Sequence, residues 1–325
     1  MYSIRFISAL FAASAAVQAS PIVPRQDYLT GLVQALNSAN LTTLVAVLAP
    51  WATTEQGQQV VNNLPNGNYT ILAPSNAAFE PVLPGLQADN SSVGPILSYH
   101  VINGSYPADL IAPARSHSIA PTLLTDGAYV NLGGLPQVQL SVQVLEKTSD
   151  GSGVLVRRTI GNATVTGTTT YQNLIVHVIN TVLTPPSDLK AALSTSLVSR
   201  APGGFSQLGG ALQKVGQLDA VNDAASTTVF APIDDAFVAI NSTVAGLTDE
   251  QLTSVLRNHV INNNVLYSTQ LANTPNANAA SDAQLTFSNE DGTLFVSYNN
   301  TRARVLRSDV AVKNGVVHVI DAVLA

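Results

Sequence analysis

Imidazole is the side chain whose ordinary pKa lies nearest neutrality, so proton transfer or metal ligation would first be sought at the histidines. The chain has 5 of them, and 4 recur in matched surroundings. His100 lies in Leu97-Ser-Tyr-His-Val-Ile102 and His259 in Leu256-Arg-Asn-His-Val-Ile261, while His177 and His318 open two copies of His-Val-Ile. Only His117 lacks a counterpart. Two histidines per repeat could meet and ligate a metal, but no third ligand stands at useful spacing, and no metal is assigned. Cysteine is absent, which removes thiol nucleophiles, thiolate metal sites and redox motifs. Paired acids occur at Asp234-Asp235 and Asp249-Glu250. Both read as helix starts, where acids serve the helix dipole, and Thr248 with Gln251 has the spacing of a capping box. There is no Gly-x-Ser-x-Gly elbow, His-Glu-x-x-His, phosphate loop or calcium loop. No catalytic residue and no cofactor is assigned, and the chain is not expected to be an enzyme.

The elements that carry these histidines occur twice. Thr70-Ile-Leu-Ala-Pro-Ser-Asn-Ala-Ala-Phe79 returns as Thr228-Val-Phe-Ala-Pro-Ile-Asp-Asp-Ala-Phe237, 158 residues later. It reads as a strand ended by proline that turns into a helix, with Ser75 and Asn76 both of good capping type. Ile233 replaces Ser75, so the second cap must fall to Asp234 or be lost. Val93, Ile96, Leu97 and His100 lie at helical spacing, as do Leu252, Val255, Leu256 and His259. Each histidine thus closes an apolar stripe at a helix C-terminus, where imidazole can bond free carbonyls. Leu174 to Leu183 and Val316 to Leu324 are near-continuous apolar runs, as expected of central strands covered on both faces.

Around these blocks, Leu29, Leu32, Val33 and Leu36 are followed by Leu41, Leu44, Val45 and Leu48. The phase slips near Asn37 and Asn40, giving two short amphipathic helices. Ser149-Asp-Gly-Ser-Gly153 and Asn289-Glu-Asp-Gly292 read as hairpin turns. The first unit is longer between its histidines, 77 residues from His100 to His177 against 59 from His259 to His318. Extra loop around 112–136 accounts for most of the difference, and such loops are where units of one fold diverge in binding. The expected domains are 26–185 and 186–325, with 186–204 as a connecting segment. Asp188 to Val198 is expected to be a connecting helix, and the short connection predicts that the domains do not tumble independently.

Composition places the work outside the cell. Of 325 residues only 10% are charged and the net charge is −6, which leaves no basic footprint for nucleic acid. Arg5, the apolar stretch Phe6 to Val17 and the small-residue pattern Val17-Gln-Ala19 predict a signal peptide over 1–19, and the apolar run is too short to span a membrane. Asn40, Asn68, Asn90, Asn103, Asn162, Asn241 and Asn299 each begin a glycosylation sequon. No lipid-anchor signal follows Val323-Leu-Ala325, so the expectation is a secreted chain, extracellular or associated with the cell wall.

The blocks, in this order and spacing, resemble the fasciclin (FAS1) domain, and their duplication resembles a secreted tandem fasciclin-like protein of fungal style. Thr70 to Phe79 and Thr228 to Phe237 look like the family's first homology box, and Val176 to Leu183 and Val317 to Leu324 like its second. Tyr99-His100 matches the intervening Tyr-His pair, and Asn258-His259 keeps only the histidine. The resemblance implies an α+β fold: two units, each a wedge-shaped β-sandwich with helices packed at one side. It also implies adhesion or matrix interaction, a role it carries onto Tyr99 and His100; Asn258 and His259, at the matching positions where the tyrosine is lost, complete the candidate binding residues. Implied partners are cell-wall or matrix glycans and cell-surface proteins, with weak self-association allowed. The alternative function is a small-molecule carrier or hydrolase using an apolar cavity within or between the domains.

Overall fold

A computed structural model describes residues 25–133, 140–195, 204–240 and 246–325. The expected signal peptide and the Asn241 sequon lie outside the described residues. The first unit opens with helices α1 (Arg25–Ser38), α2 (Thr42–Trp51) and α3 (Glu55–Asn63). The break between α1 and α2 falls where the phase slips, with Asn40 left-handed at φ 58°. The third helix is not announced by the leucine stripe; Thr54 caps it by accepting from the Gly57 amide at 3.1 Å.

The strands of this unit are β1 (Tyr69–Pro74), β2 (Val101–Asn103), β3 (Ser118–Pro121), β4 (Val142–Lys147), β5 (Val154–Arg157), β6 (Asn162–Tyr171) and β7 (Leu174–Ile179). They form one sheet in the order β2-β1-β7-β6-β5-β4-β3. A bridge between Ile102 and Thr122 brings its two edges together. The long strand β6 carries a bulge between Val165 and Gly167, pairing with β5 before it and β7 after it. A bulge bends a strand, so the two ends of β6 belong to two facing halves of a wedge. The second unit repeats the plan with β8 (Thr227–Pro232), β9 (Val260–Ile261), β10 (Asn276–Asn278), β11 (Gln284–Glu290), β12 (Thr293–Tyr298), β13 (Thr301–Val312) and β14 (Gly315–Ile320). Their order is β10-β11-β12-β13-β14-β8-β9, and β13 carries two such shifts.

The repeated blocks meet in space. β1 pairs in parallel with β7, placing Leu72 opposite His177, and β8 pairs in parallel with β14, placing Phe230 opposite His318. Each domain has two cores. One lies inside the wedge, around Leu145, Val156 and Ile179 or around Leu285, Val296 and Ile320. The other lies between sheet and helices, around Leu36, Phe79 and Val176 or around Leu212, Phe237 and Val317. Such an arrangement buries both faces of β7 and β14, which explains their continuous apolar runs.

Local signals resolve as follows. Ser75 accepts from the Ala78 amide at 3.2 Å, and Thr248 with Gln251 forms the capping box. Ile233 leaves its helix without a side-chain cap. Asp234 does not replace it, because its carboxylate accepts from the Gln207 amide at 2.7 Å and the Ser206 hydroxyl at 2.8 Å at a neighbouring helix start. Asp291 and Gly292, at φ 49° and 79°, turn the β11–β12 hairpin. The connecting helix is Leu189–Leu193, capped by Asp188, and 196–203 lie outside the described residues.

Gly315, at φ +158°, begins β14 directly against β8, and a methyl there would overlap the Thr227 carbonyl. Gly315→Ala is therefore expected to destabilise the second domain by roughly 3 kcal/mol. An unchanged urea midpoint would contradict this packing.

Candidate functional site

The matched histidines are built into the interior. His100 and His259 are 3% and 0% exposed. Nδ1 of His100 donates to the Ile96 carbonyl at 2.7 Å, and its Nε2 accepts from the Leu183 amide at 2.9 Å. His259 repeats this with Val255 and Leu324, at 2.8 and 2.9 Å. An amide donor on Nε2 requires a lone pair there, so both rings are neutral with the proton on Nδ1. Burial drives both pKa values down to about 4, despite the bonds to helix carbonyls. His177 and His318 are fully buried as well, donating from Nε2 to the carbonyls of Tyr106 and Leu266, each at 2.8 Å.

The other two candidate binding residues are also interior. Tyr99 is 6% exposed; its hydroxyl donates to the Val142 carbonyl at 3.3 Å, and its carbonyl accepts from Gln143 at 3.0 Å. Asn258 donates to the Leu324 carbonyl at 2.9 Å and accepts from the Ser281 hydroxyl at 2.5 Å. The four are not brought together as one surface. Among them, Tyr99 alone lines the cleft between the domains.

That cleft lies beside a group of ionisable residues that no motif announces. His117, from the long first-unit loop, donates from Nδ1 to Asp309 Oδ2 of the second unit at 2.5 Å. Its Nε2 stands 3.6 Å from Glu146 Oε2, and Glu146 Oε1 accepts from Arg157 at 2.9 Å. Glu146 also accepts from the Arg115 amide at 2.9 Å. Asp309 accepts from the Ser268 amide at 2.7 Å and from the Ser268 hydroxyl. Asp309 sits at the second bulge of β13, left-handed at φ 59°. A bulge re-aims a side chain, and aspartate tolerates this backbone region.

The repeat shows what changed. Nine residues before its strand histidine, the first unit has Thr168, whose hydroxyl bonds His177 at 2.8 Å. The same spacing in the second unit gives Asp309, whose amide faces His318 at 3.4 Å while its carboxylate turns to the other domain.

Burial opposes the charge on His117, Glu146 and Asp309. For His117 burial lowers the pKa, but the bond to Asp309 and the nearness of Glu146 outweigh it, and the pKa is raised above 6.5. For Glu146 burial raises the pKa, but His117, the Arg115 amide and Arg157 hold it down at about 2. Asp309 is likewise lowered against burial, by His117, His318 and Ser268. Below the raised pKa of His117 the group is an ion-paired clasp, with two carboxylates facing imidazolium and guanidinium. It lacks the arrangement of a nucleophilic triad: the Ser268 hydroxyl donates to the carboxylate, and the Ser308 hydroxyl stands 3.4 Å from the same His117 nitrogen that bonds Asp309.

The clasp has company. Arg307 donates to the Arg158 carbonyl across the domains. The Asn131 amide donates to the Lys313 carbonyl at 2.7 Å and its side chain donates to the Asp223 carbonyl at 3.1 Å, while the Lys313 amide ties back to the Ser187 carbonyl of the connecting segment at 2.8 Å. Residues of the extra loop, expected to diverge in binding, therefore dock the second domain. The cleft beside them has a volume of about 280 Å³ and is lined by Tyr99, Arg157, Arg158, Thr184, Asp309 and Ala311 among others. Among the described residues no group of three His, Cys, Asp or Glu side chains is arranged to hold a metal. The signal available in the sequence was His117 itself, the one histidine outside the repeat and inside the longer loop.

Comparison with known proteins adds a family. The fasciclin domain profile matches residues 28–185 and 203–325. A fasciclin-like arabinogalactan protein of Arthroderma benhamiae is 30% identical over 265 residues, covering 79% of this chain and 58% of that protein. The chain thus spans less than two-thirds of that relative. The fasciclin-like arabinogalactan protein elcF of Phaeosphaeria nodorum is 26% identical over 263 residues, covering 79% and 78%. Immunogenic protein MPB70 of Mycobacterium bovis is 31% identical over 160 residues, covering 48% and 68%. A solved FAS1 domain pair from the insect cell adhesion molecule Fasciclin I aligns over 89% of this chain and 98% of that one, at 20% identity and a TM-score of 0.41.

Two outcomes follow from this chemistry. His100→Ala removes two buried hydrogen bonds and leaves a void, and is expected to lower stability by about 3–5 kcal/mol in urea unfolding; a loss within error of zero would contradict the staple. The pH dependence has two limbs. A raised folded pKa makes protonated His117 stabilising below its ordinary pKa, and that contribution is lost as pH rises through the raised value. The depressed histidines do the opposite: stability is lost as pH falls from about 6.5 toward 4. Glu146 and Asp309 stabilise above the ordinary carboxylate range and lose that contribution as pH falls through their lowered values. Energy transfer between fluorophores on the two domains should therefore fall on the alkaline side in the wild type, and not in His117→Asn. Identical profiles for both proteins would remove the clasp as the cause.

Proposed function

The chain belongs to the fasciclin domain family, and on that premise we propose that it is a non-enzymatic adhesion module, secreted and glycosylated. Its two docked domains would bind cell-wall or matrix glycans and cell-surface proteins. The observation that carries this reading is the docking itself. His117 to Asp309, Arg307 to the Arg158 carbonyl and Asn131 to Lys313 fix the two domains in one orientation. Two faces already held at a spacing that matches a repeating partner give up less freedom on engaging it together than two tumbling domains do, and so gain more avidity.

The surface is consistent with an extracellular glycoprotein. Asn40, Asn68, Asn90, Asn103 and Asn299 are exposed and Asn162 is half-buried, so six sequons stand where an attached glycan has room. No described helix is long and apolar enough to cross a membrane. The names of the fungal relatives, fasciclin-like arabinogalactan proteins, support a wall or matrix setting. Tyr99 is assigned a direct role at the cleft. His100, Asn258 and His259 are assigned positioning roles, holding helix ends against the last strands from behind.

The test is sedimentation of the glycosylated protein with insoluble wall polysaccharide and with intact cells. Wild type is expected to bind, and Asp309→Ala, with its domain melting transitions retained, to bind about tenfold more weakly through lost avidity. Equal binding by the two would overturn the fixed-spacing argument. Failure of wild type to bind either material would overturn the adhesion reading.

A further inference from the structure

Within the first domain, α1, α2 and α3 do not close completely on the sheet. They leave a cavity of about 180 Å³ against β1 and the helix Val93–Tyr99. Its deep wall is hydrocarbon, with Leu32, Leu36, Leu44, Leu72 and Leu97 all buried. Its outer rim is apolar too. Val33 is 42% exposed, Val45, Leu48 and Val61 are half-buried, and Ala49 is exposed. The apolar lining therefore continues to the surface between the helices, which supplies a way in.

The only polar side-chain atoms of the lining are ring nitrogens, those of His100 and Trp51. Both His100 nitrogens are occupied, by the Ile96 carbonyl and the Leu183 amide. Trp51 Nε1 is buried without a partner in the fold. A buried water needs two to four polar partners, and a single donor does not hold one. Hydrocarbon-lined cavities of about 150 Å³ stay dry and accept benzene, so this one has the size and chemistry for a slightly larger ring.

We propose that the helical layer of the first domain binds a small neutral hydrocarbon ligand, a single aromatic or alicyclic ring with a short substituent. The site is distinct from the interdomain cleft and independent of adhesion. It takes one ring-sized group and rejects charged ones, because no wall group pairs with a charge and desolvating an unpaired ion is prohibitive.

Trp51 is the only tryptophan of the chain, so its emission reports on the cavity directly. Toluene titrated into the purified protein is expected to change Trp51 emission saturably and raise Tm by roughly 3 °C near saturation. Benzoate, the charged analogue, is expected to do neither. Val61→Phe, which fills the mouth from a half-buried position, is expected to lose both responses while keeping its own Tm. If that variant fails to fold, Ala52→Leu at the same rim serves the same purpose. Absence of a saturable response up to the aqueous solubility of toluene would overturn the proposal. So would a folded filled variant that responds as wild type does, or a benzoate response equal to that of toluene.

Discussion

Each domain depends on one neutral imidazole that presents a proton to a helix and a lone pair to the chain after a central strand. His100 and His259 close this contact in the same way, between a carbonyl four residues back and the amide of Leu183 or Leu324. The backbone carbonyls of the same histidines accept from Leu72 and Phe230 at 2.9 and 2.8 Å. One residue thus joins a helix end, the first strand and the segment after the last strand. Without cysteine, the fold has no covalent link between these distant segments. A ring with a donor at one side and an acceptor at the other does what no carboxylate or ammonium group could do in an apolar interior without a large desolvation penalty.

The junction between domains uses the opposite strategy. Charges are taken out of water and matched, with His117 and Arg157 facing Glu146 and Asp309. Such clusters contribute little net stability, but losing one member leaves the others buried and uncompensated. Docking is therefore close to all-or-none, and the geometry it enforces is specific. Its origin is local: a bulge in β13 turns one side chain away from the strand histidine that its counterpart in the first domain serves.

Much of this architecture was legible because it is periodic or local. The corner at Pro74, the break at Asn40, the capping box at Thr248 and the histidines closing apolar stripes all lie within one turn or one strand of their causes. The third helix was missed because Glu55 to Asn63 is mostly polar and shows the sequence only Val60 and Val61. The clasp was missed for a different reason. His117 and Asp309 are 192 residues apart and His117 and Glu146 are 29 apart, and each alone resembles a solvated loop or strand residue. That residues of the long loop contact the second unit was not legible, because nothing local distinguishes a segment that meets a partner from one that meets the other half of its own chain. Packing places the candidate residues Tyr99, His100, Asn258 and His259 inside the fold, a burial that their sequence neighbours alone do not show.

The two repeats differ at one position whose residues cannot be exchanged without breaking a contact. Copying the first unit's Thr168 over Asp309 would leave His117 and Glu146 buried against a hydroxyl. Copying aspartate over Thr168 would place a carboxylate beside His177, a ring that now receives a neutral hydroxyl at Nδ1. The same position thus does two jobs: threonine serves the strand histidine of its own domain, and aspartate serves the other domain.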